Sequence, residues 1–545
     1  MSDRLTRDER IELSTLGYII IALSIGVVAG RIAVVRSNER DTAFLSANDR
    51  SRWCTIAALV EDGTYAIDRQ LAIRDATGRR HPWSTIDRVR HTGPDGVMHD
   101  YSSKPPLFST MVAGIYWIVR QASQMTLTEH PIYVARIVIA LANLPMLLVM
   151  LVAIWRSILD CFAPSSAKLF GLGIAGFGTA LLPMSISINN HLPAAMSTAI
   201  VLCVYLGVAG QAQLRQLAGP YFLAGLAAAF AVANELPALS MLAIWSLLFS
   251  RQHLLATMLA FVPGVVLVTV AFFITNQLAH QSFRPPYMHR SDGPVIGTIE
   301  RSSSDGRPTA DEVSQWLRGQ RDMPTSKNSF ELIATSSPDR WIIQSSDGNQ
   351  RYALVRSDGD PIAAPPSGKM SAWNVHQWDH WYDYPGSYWT GQRRGVDRGE
   401  QSRLRYFFHL TLGHYGIFSL TPVWLLVPVG LSLRLINQEG RYRYLLAVGI
   451  AVVSVVCLSF YVSRPVIDRN YGGVSSSFRW MLWLTPLWIW AMLPAVTRAM
   501  GNGWAKPVVL VLLAASVFSA ATAMENPWQH PWIYRYFSFL GWLES

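Results

Sequence analysis

Runs of roughly 20 mostly apolar residues recur along this chain, and a segment of that length and character matches the hydrocarbon thickness of a bilayer. Such runs fall at about 15–35, 131–155, 168–188, 192–212, 218–234, 237–250, 254–275, 416–435, 443–463, 479–498 and 504–523. Eleven spans follow, of which 218–234 and 237–250 are short and are joined by a tight hairpin at Asn234-Glu235-Leu236-Pro237. The composition agrees, with 50% apolar and only 15% charged residues among 545 and a mean hydropathy of +0.22. Soluble domains carry about a quarter charged residues. The four cysteines, Cys54, Cys161, Cys203 and Cys457, are scattered with no metal-ligand spacing, which excludes a disulfide scaffold. A net charge of +10 in such a chain reads as basic loops beside anionic lipid rather than as a nucleic-acid surface.

Orientation comes from the basic residues. Arg4, Arg7 and Arg10 precede the first run, which lacks a small-residue cleavage site and is read as retained, with the N-terminus cytoplasmic. Arg156, Lys168, Arg215, Arg251, Arg434, Arg441, Arg443 and Arg498 then all fall in short cytoplasmic loops, and the tail after Asn526 lies outside. Residues 105–120 are apolar but short and open on two prolines, so they read as a juxtamembrane helix on the outer face.

This layout puts two polar insertions outside. In 36–104, alternating runs (64–68 and 85–91) and a Pro94-Asp95-Gly96 turn suggest a small β element. In 276–402, the segments 340–344 and 351–356 flank Asp347-Gly348-Asn349, a hairpin signal. The stretch 291–322, rich in Ser, Asp, Gly and Arg, reads as mobile. The expected organisation is a membrane module over 1–275, an outer segment over 276–402, and C-terminal helices with an outer tail over 403–545.

Six connections bring conspicuous polar residues to the outer side: Asp49, Lys104, His191, Glu235, the His414 segment and Arg479. Ionisable groups near the membrane are functional candidates, although polar residues are also the ordinary content of loops. Asp49 is followed by Arg50, Ser51, Arg52 and Trp53, then by a run ending at Gly63; Tyr101-Ser102-Ser103-Lys104-Pro105-Pro106-Leu107 comes later. This order resembles the lipid-linked-sugar glycosyltransferases of the C-type fold (GT-C), especially the aminoarabinose transferases and protein O-mannosyltransferases. That family has an aspartate soon after its first span, an Arg-aromatic pair, and a later Lys-Pro-Pro-Leu segment, often with a tyrosine three before the lysine. Asp49, Arg52-Trp53, Tyr101 and Lys104 stand at the matching places. Arg50 stands where relatives have glutamate, and Ser103 where the aminoarabinose enzymes have a glutamate resembling a metal ligand. Asn189-Asn190-His191-Leu192-Pro193 occupies the place of an Asp-Ala-Pro-Leu segment.

The resemblance implies an all-α polytopic GT-C-like membrane fold with small β elements on the outer face. It implies transfer of a sugar from a polyprenyl-phosphate donor to an acceptor hydroxyl on a lipid, glycan or protein, at the extracytoplasmic face of the inner cell membrane. The chemistry is consistent with it. An inverting transfer needs a carboxylate to take the hydroxyl proton, expected at Asp49, and cations for the leaving phosphate, expected at Lys104. Arg136, early in its span, meets phosphate or snorkels to the interface. Arg479, after Gly472-Gly473, holds phosphate oxygens or simply starts a helix. Arg52, Tyr101, His191, Glu235 and His414 are the remaining pocket candidates. No cofactor is called for. A divalent ion is left open, with His376 and His380 as its candidates if 376–383 is helical, in a loop whose aromatic residues read otherwise as a membrane-interface anchor or a sugar-stacking wall. A transporter or flippase for lipid-linked glycans and a non-catalytic membrane assembly protein are the competing classes. Internal repeats and midplane charges, which transporters tend to carry, are not evident in the sequence.

Overall fold

The computed structural model describes residues 7–161, 163–301, 308–319, 329–335, 337–357, 371–391, 393–437 and 440–543. Among these, six helices are long and apolar enough to cross a membrane: Asp8–Val34, Tyr133–Leu159, His191–Gly210, Leu254–His280, Arg441–Ser463 and Arg479–Met500. Three shorter apolar helices, Ala218–Asn234, Pro422–Asn437 and Ala505–Ala521, accompany them. The helices pack around one continuous apolar core in which Trp53, Trp155, Trp483 and Trp490 are fully buried.

Not all of the eleven expected spans are single helices. The run at 168–188 becomes a helix, Ser165–Phe177, that stops at Gly178, then a four-residue helix, Leu181–Met184, then turns and irregular chain to Asn190. Irregular backbone at this depth requires partners for its polar groups. Asn143 Nδ2 supplies them to Ser185 O and Ser187 O (2.8 and 2.9 Å), and Asn189 Nδ2 donates to Met184 O at 2.6 Å. The run at 237–250 becomes a 3₁₀ turn, Leu236–Ala238, and a 14-residue helix, Leu239–Gln252. Glu235, between it and Ala218–Asn234, sits in the connection.

Helix Ala218–Asn234 crosses the helical segment ending at His280 at very short range. A Cβ on Gly225 would stand 2.0 Å from Phe261 O, and one on Gly264 would stand 2.5 Å from Phe222 O. Small residues at such crossings let backbones approach where lipid supplies no hydrophobic drive for association. Helix Pro106–Ser123 buries Phe108, Val112, Tyr116 and Val119 and exposes Met111, Trp117 and Ile118. It packs on Ala47–Ala57, Tyr133–Leu159 and Val262–His280.

The first polar insertion contains an antiparallel hairpin, Arg88–Thr92 with Met98–Ser102, turning through Gly96 at φ +78°. The alternating run at 64–68 is not a strand; it leads into a short helix, Asp68–Ala72. The second insertion carries a five-stranded antiparallel sheet in the order Val295–Arg301, Ser371–Gln377, Arg351–Ser357, Arg340–Ser345, Phe330–Ala334. Its central hairpin pairs Arg340 with Val355 and Gln344 with Arg351 around Gly348, at φ +74°. Of 291–322, expected as mobile, the described part includes strand Val295–Arg301 and helix Ala310–Arg318, the latter opened by a Thr309–Glu312 capping box; 302–307 and 320–322 lie outside the described residues.

The two insertions are tied together. Arg90 N–H donates to Trp381 O at 2.9 Å, and the His91 ring stacks on Tyr101 with centroids 4.1 Å apart and lies 4.2 Å from Trp381. His91 Nε2 also meets His280 Nδ1 at 3.0 Å. This clasp brings Tyr382, Trp389, Arg393 and Asp397 over the residues that follow the first span.

Candidate functional site

Helix Ala47–Ala57 starts where it does because Ser46 and Asp49 cap it reciprocally. Asp49 N–H donates to Ser46 Oγ at 3.1 Å, while the Asp49 carboxylate accepts from Ser46 N at 2.8 Å and Leu45 N at 3.0 Å. The side chain is fully buried and is not among those lining the cavity described below. Burial pushes its carboxyl up to about 6, against the Leu45 and Ser46 N–H groups and the Arg50 charge, which favour the ionised form. Asp49 is therefore a capping residue here. The general-base role expected of it would need the carboxylate, which accepts two backbone N–H bonds, to face the acceptor, and its side chain is not among those lining the cavity.

One turn beyond Asp49 the same helix delivers Arg52 to a cavity of about 830 Å³. Arg52 is 3% exposed, and its Nε is a buried polar atom without a partner among the described residues, as is Asn48 Oδ1 beside it. Burial and the neighbouring Arg479 charge hold the Arg52 guanidinium down to about 10, so it stays protonated at neutral pH. Lys104 reaches the cavity from the end of the hairpin, with Nζ 3.0 Å from Asp87 Oδ2. Burial also lowers the Lys104 ammonium; Arg52 and Arg479 act in the same direction and Asp87 opposes them.

Glu235 and Asn190 line the same cavity, and Arg479 enters from the late helix. Arg52 Nη2 donates to Asn190 Oδ1 (3.0 Å), and Asn190 Nδ2 donates to Glu235 Oε1 (2.6 Å). His191 Nδ1 lies 2.5 Å from the same oxygen, and His191 Nε2 lies 2.8 Å from Arg479 Nη1. A guanidinium only donates, so Nε2 is the acceptor and the proton sits on Nδ1, facing Glu235. Burial raises the Glu235 carboxyl to about 8 although Arg479 and Arg52 pull it down. Arg479 Nε donates to Gly472 O at 2.8 Å, and its guanidinium lies 4.9 Å over the Trp528 ring. Gly472, at φ +90°, gives the loop a conformation that L side chains rarely adopt.

Arg52, Lys104, His191, Glu235 and Arg479 are thus brought together. Three other candidates are not. Arg136 donates through Nε and Nη2 to Val35 O (3.0 and 2.8 Å), fastening the end of the first helix rather than meeting a ligand. Tyr101 is buried against His91 in the clasp. His414 stacks on His409 at 4.1 Å in an aromatic cluster with Tyr415, Tyr471 and Tyr534. His376 and His380 lie on strands Ser371–Gln377 and Asp379–His380, not on a helix, and His376 Nδ1 is taken up by Gly293 O at 2.8 Å. Among the described residues no group of three or more His, Cys, Asp or Glu side chains is placed to hold a metal ion.

Asp87, Asp397 and Trp528 are cavity residues that the sequence analysis did not single out. For Asp87 a signal existed. The hairpin register pairs Arg88 with Ser102 and bonds Ser103 N to Asp87 O, which sets Asp87 beside Lys104. No comparable signal marks Asp397 or Trp528, which arrive from distant segments. Asp397 accepts from Tyr388 Oη at 2.9 Å, and burial raises its carboxyl. A second cationic set, Arg290, Arg393 and Arg464, lines the other side, with Asp468 3.5 Å from Arg290 and 3.3 Å from Arg464.

Away from these charges the cavity is apolar. Ala229, Val232, Leu239, Leu242, Val268 and Phe272, from three neighbouring helices, form that arm. The cavity therefore joins a buried cationic end to a hydrocarbon-like flank. Such an arrangement can accept an amphiphile with an anionic head.

No family model matches the chain, and no curated protein matches it by sequence. Solved structures with a similar arrangement include the protein O-mannosyltransferase Pmt1-Pmt2 complex of S. cerevisiae bound to the sugar donor, at 11% identity and a TM-score of 0.44, covering 98% of this chain and 94% of that one. Another is the apo oligosaccharyltransferase of Archaeoglobus fulgidus, at 11% identity and a TM-score of 0.41, covering 96% of this chain and 57% of that longer one.

Proposed function

We propose that this protein is a membrane glycosyltransferase that moves a sugar from a polyprenyl-phosphate donor to an acceptor hydroxyl at the outer membrane face. The observation that carries this reading is the junction of cationic end and apolar arm in one cavity: Arg52, Lys104 and Arg479 on one side, Val232, Leu242 and Phe272 on the other. A polyprenyl phosphate has the same two parts.

In the reaction the acceptor oxygen bonds to the sugar C1 as the bond from C1 to the phosphate oxygen breaks, with inversion at C1. The donor phosphodiester, with one negative charge, becomes a phosphate monoester with a second. Fixed cations aimed at that oxygen stabilise the charge as it develops. Lys104, Arg52 and Arg479 take this role; two guanidinium groups suit phosphate geometry, and lysine adds a point charge. The acceptor proton goes to a carboxylate within reach of the hydroxyl. Asp87, which faces the cavity next to Lys104, is assigned that role in place of Asp49. The acceptor is a hydroxyl-bearing lipid, glycan or protein.

The test is transfer of labelled sugar from a polyprenyl-phosphate donor to endogenous acceptors in membranes containing the protein. Mass spectrometry of glycans and glycolipids from a deletion strain identifies the product. Absence of both transfer and a missing glycoconjugate would overturn the reading.

A further inference from the structure

The buried chain between the two arginines has a definite polarity. Arg52 donates to Asn190, which donates to Glu235; Arg479 donates to His191, which donates to the same Glu235 oxygen. Two guanidinium groups, from a helix near the start of the chain and from one near its end, thus converge on one carboxyl through one neutral linker each. A direct salt bridge would occupy the fork of each guanidinium that a phosphate needs. The linkers keep the carboxyl one residue away. Arg52 Nε is left as a buried donor without a partner among the described residues, on a side chain that lines the cavity. Two of the three groups between the arginines are deeply buried, His191 at 0% exposed and Glu235 at 5%, and Asn190 is partly buried.

We propose that Glu235, acting through Asn190 and His191, is a positioning residue that fixes the spacing of Arg52 and Arg479, so that both guanidinium groups address a single phosphate. This rests on the glycosyl-transfer reading for the identity of the ligand, not for the geometry. Asn190 and His191 take part only because the preceding span unwinds after Gly178 and brings 189–191 to the cavity.

The experiment compares Glu235→Ala, Glu235→Gln and Asn190→Asp in the purified full-length protein in detergent. Two readouts are used: protection against thermal unfolding by polyprenyl phosphate, and the donor KM and kcat of transfer. Glutamine offers the same acceptor oxygen to both linkers; alanine offers none; aspartate at 190 cannot donate to Glu235. Leaving a buried donor unpaired costs about 1–3 kcal/mol, so Glu235→Ala should weaken polyprenyl-phosphate binding and raise the donor KM about 10- to 100-fold. Its kcat should fall much less. Glu235→Gln should recover most of the lost affinity, and Asn190→Asp should lose affinity with the His191 arm intact. In an Arg52→Ala, Arg479→Ala background, Glu235→Ala should have no further effect on binding. Equal loss in the Gln and Ala variants, or an undiminished Glu235→Ala effect in that background, overturns the proposal. If the wild-type protein neither transfers sugar nor binds polyprenyl phosphate, the glycosyl-transfer reading fails. The same ordering of variants, read with inorganic phosphate as the probe, then upholds the positioning role, and its absence there overturns that role as well.

Discussion

Lys104 Nζ stands 3.0 Å from Asp87 Oδ2 at the wall of the cavity, an ion pair between the two ends of one β-hairpin. It places the carboxylate proposed to accept a proton beside a cation proposed to meet the leaving phosphate. A general base is worth about 10²–10⁴-fold in rate, so Asp87→Asn should lose turnover in that range while donor binding persists. Steady-state transfer with saturating lipid donor checks it. If the loss instead follows Asp397→Asn, the base is the carboxylate bonded to Tyr388.

Lys104→Ala should act mainly on the donor. It removes a cation from the phosphate site and leaves the Asp87 carboxylate without its partner, so the donor KM should rise about 10-fold or more. Lys104→Arg keeps the charge and should retain part of the affinity. Transfer rates titrated with donor, at fixed acceptor, separate the two variants.

Asp49→Asn should behave differently from Asp87→Asn. An amide has one acceptor oxygen where the carboxylate serves both Leu45 N and Ser46 N. Loss of capping costs about 0.5–2 kcal/mol, so the variant should unfold at lower temperature, and its activity should fall only in proportion to folded protein. Thermal unfolding in detergent, with turnover normalised to the folded fraction, checks this. A loss of about 100-fold or more at unchanged stability would return the base role to Asp49.

The pH dependence of donor binding should be set in part by Glu235. Its carboxyl is raised to about 8 by burial, so it is neutral below that pH and negative above it. His191, Arg52 and Arg479 face it. As pH rises through about 8, a new negative charge appears in the phosphate site and donor affinity should fall. The stabilising contribution has the same sign: it is fully present below the ordinary carboxyl value and is lost as pH rises through about 8. Glu235→Gln should flatten the binding profile between pH 7 and 9, measured by polyprenyl-phosphate protection against unfolding.

Gly225→Ala tests the helix crossing below the apolar arm. A Cβ there would overlap Phe261 O at 2.0 Å, a backbone atom that no rotamer change can move. Overpacking of this kind costs about 1–3 kcal/mol, so the variant should melt earlier. Gly114→Ala, where a Cβ meets nothing within 4 Å, is the control and should not.

The sequence by itself determined the features governed by local rules. Apolar run length located the helices from Asp8, Tyr133, Leu254 and Arg441, because bilayer thickness sets that length. Turn chemistry located both hairpins, through Gly96 and Gly348, because few residues accept positive φ. Of the six polar positions expected on one side from the alternation of short basic loops, Lys104, His191, Glu235 and Arg479 do come together.

Only the tertiary structure decided which of those residues meet. Asp49 and Asp87 look alike in a sequence, yet one accepts from the turn that starts its helix and the other faces the cavity. Arg136 and Arg479 both begin apolar runs, but Val35 O claims the first while the unwound chain at 185–190 brings His191 to the second. That unwinding is invisible to hydropathy, because it depends on Asn143, from another helix, satisfying the freed carbonyls. Periodicity, caps and turns are properties of a few consecutive residues. A site is a property of packing, and Trp528 reaches Arg479 only after every intervening helix has found its place.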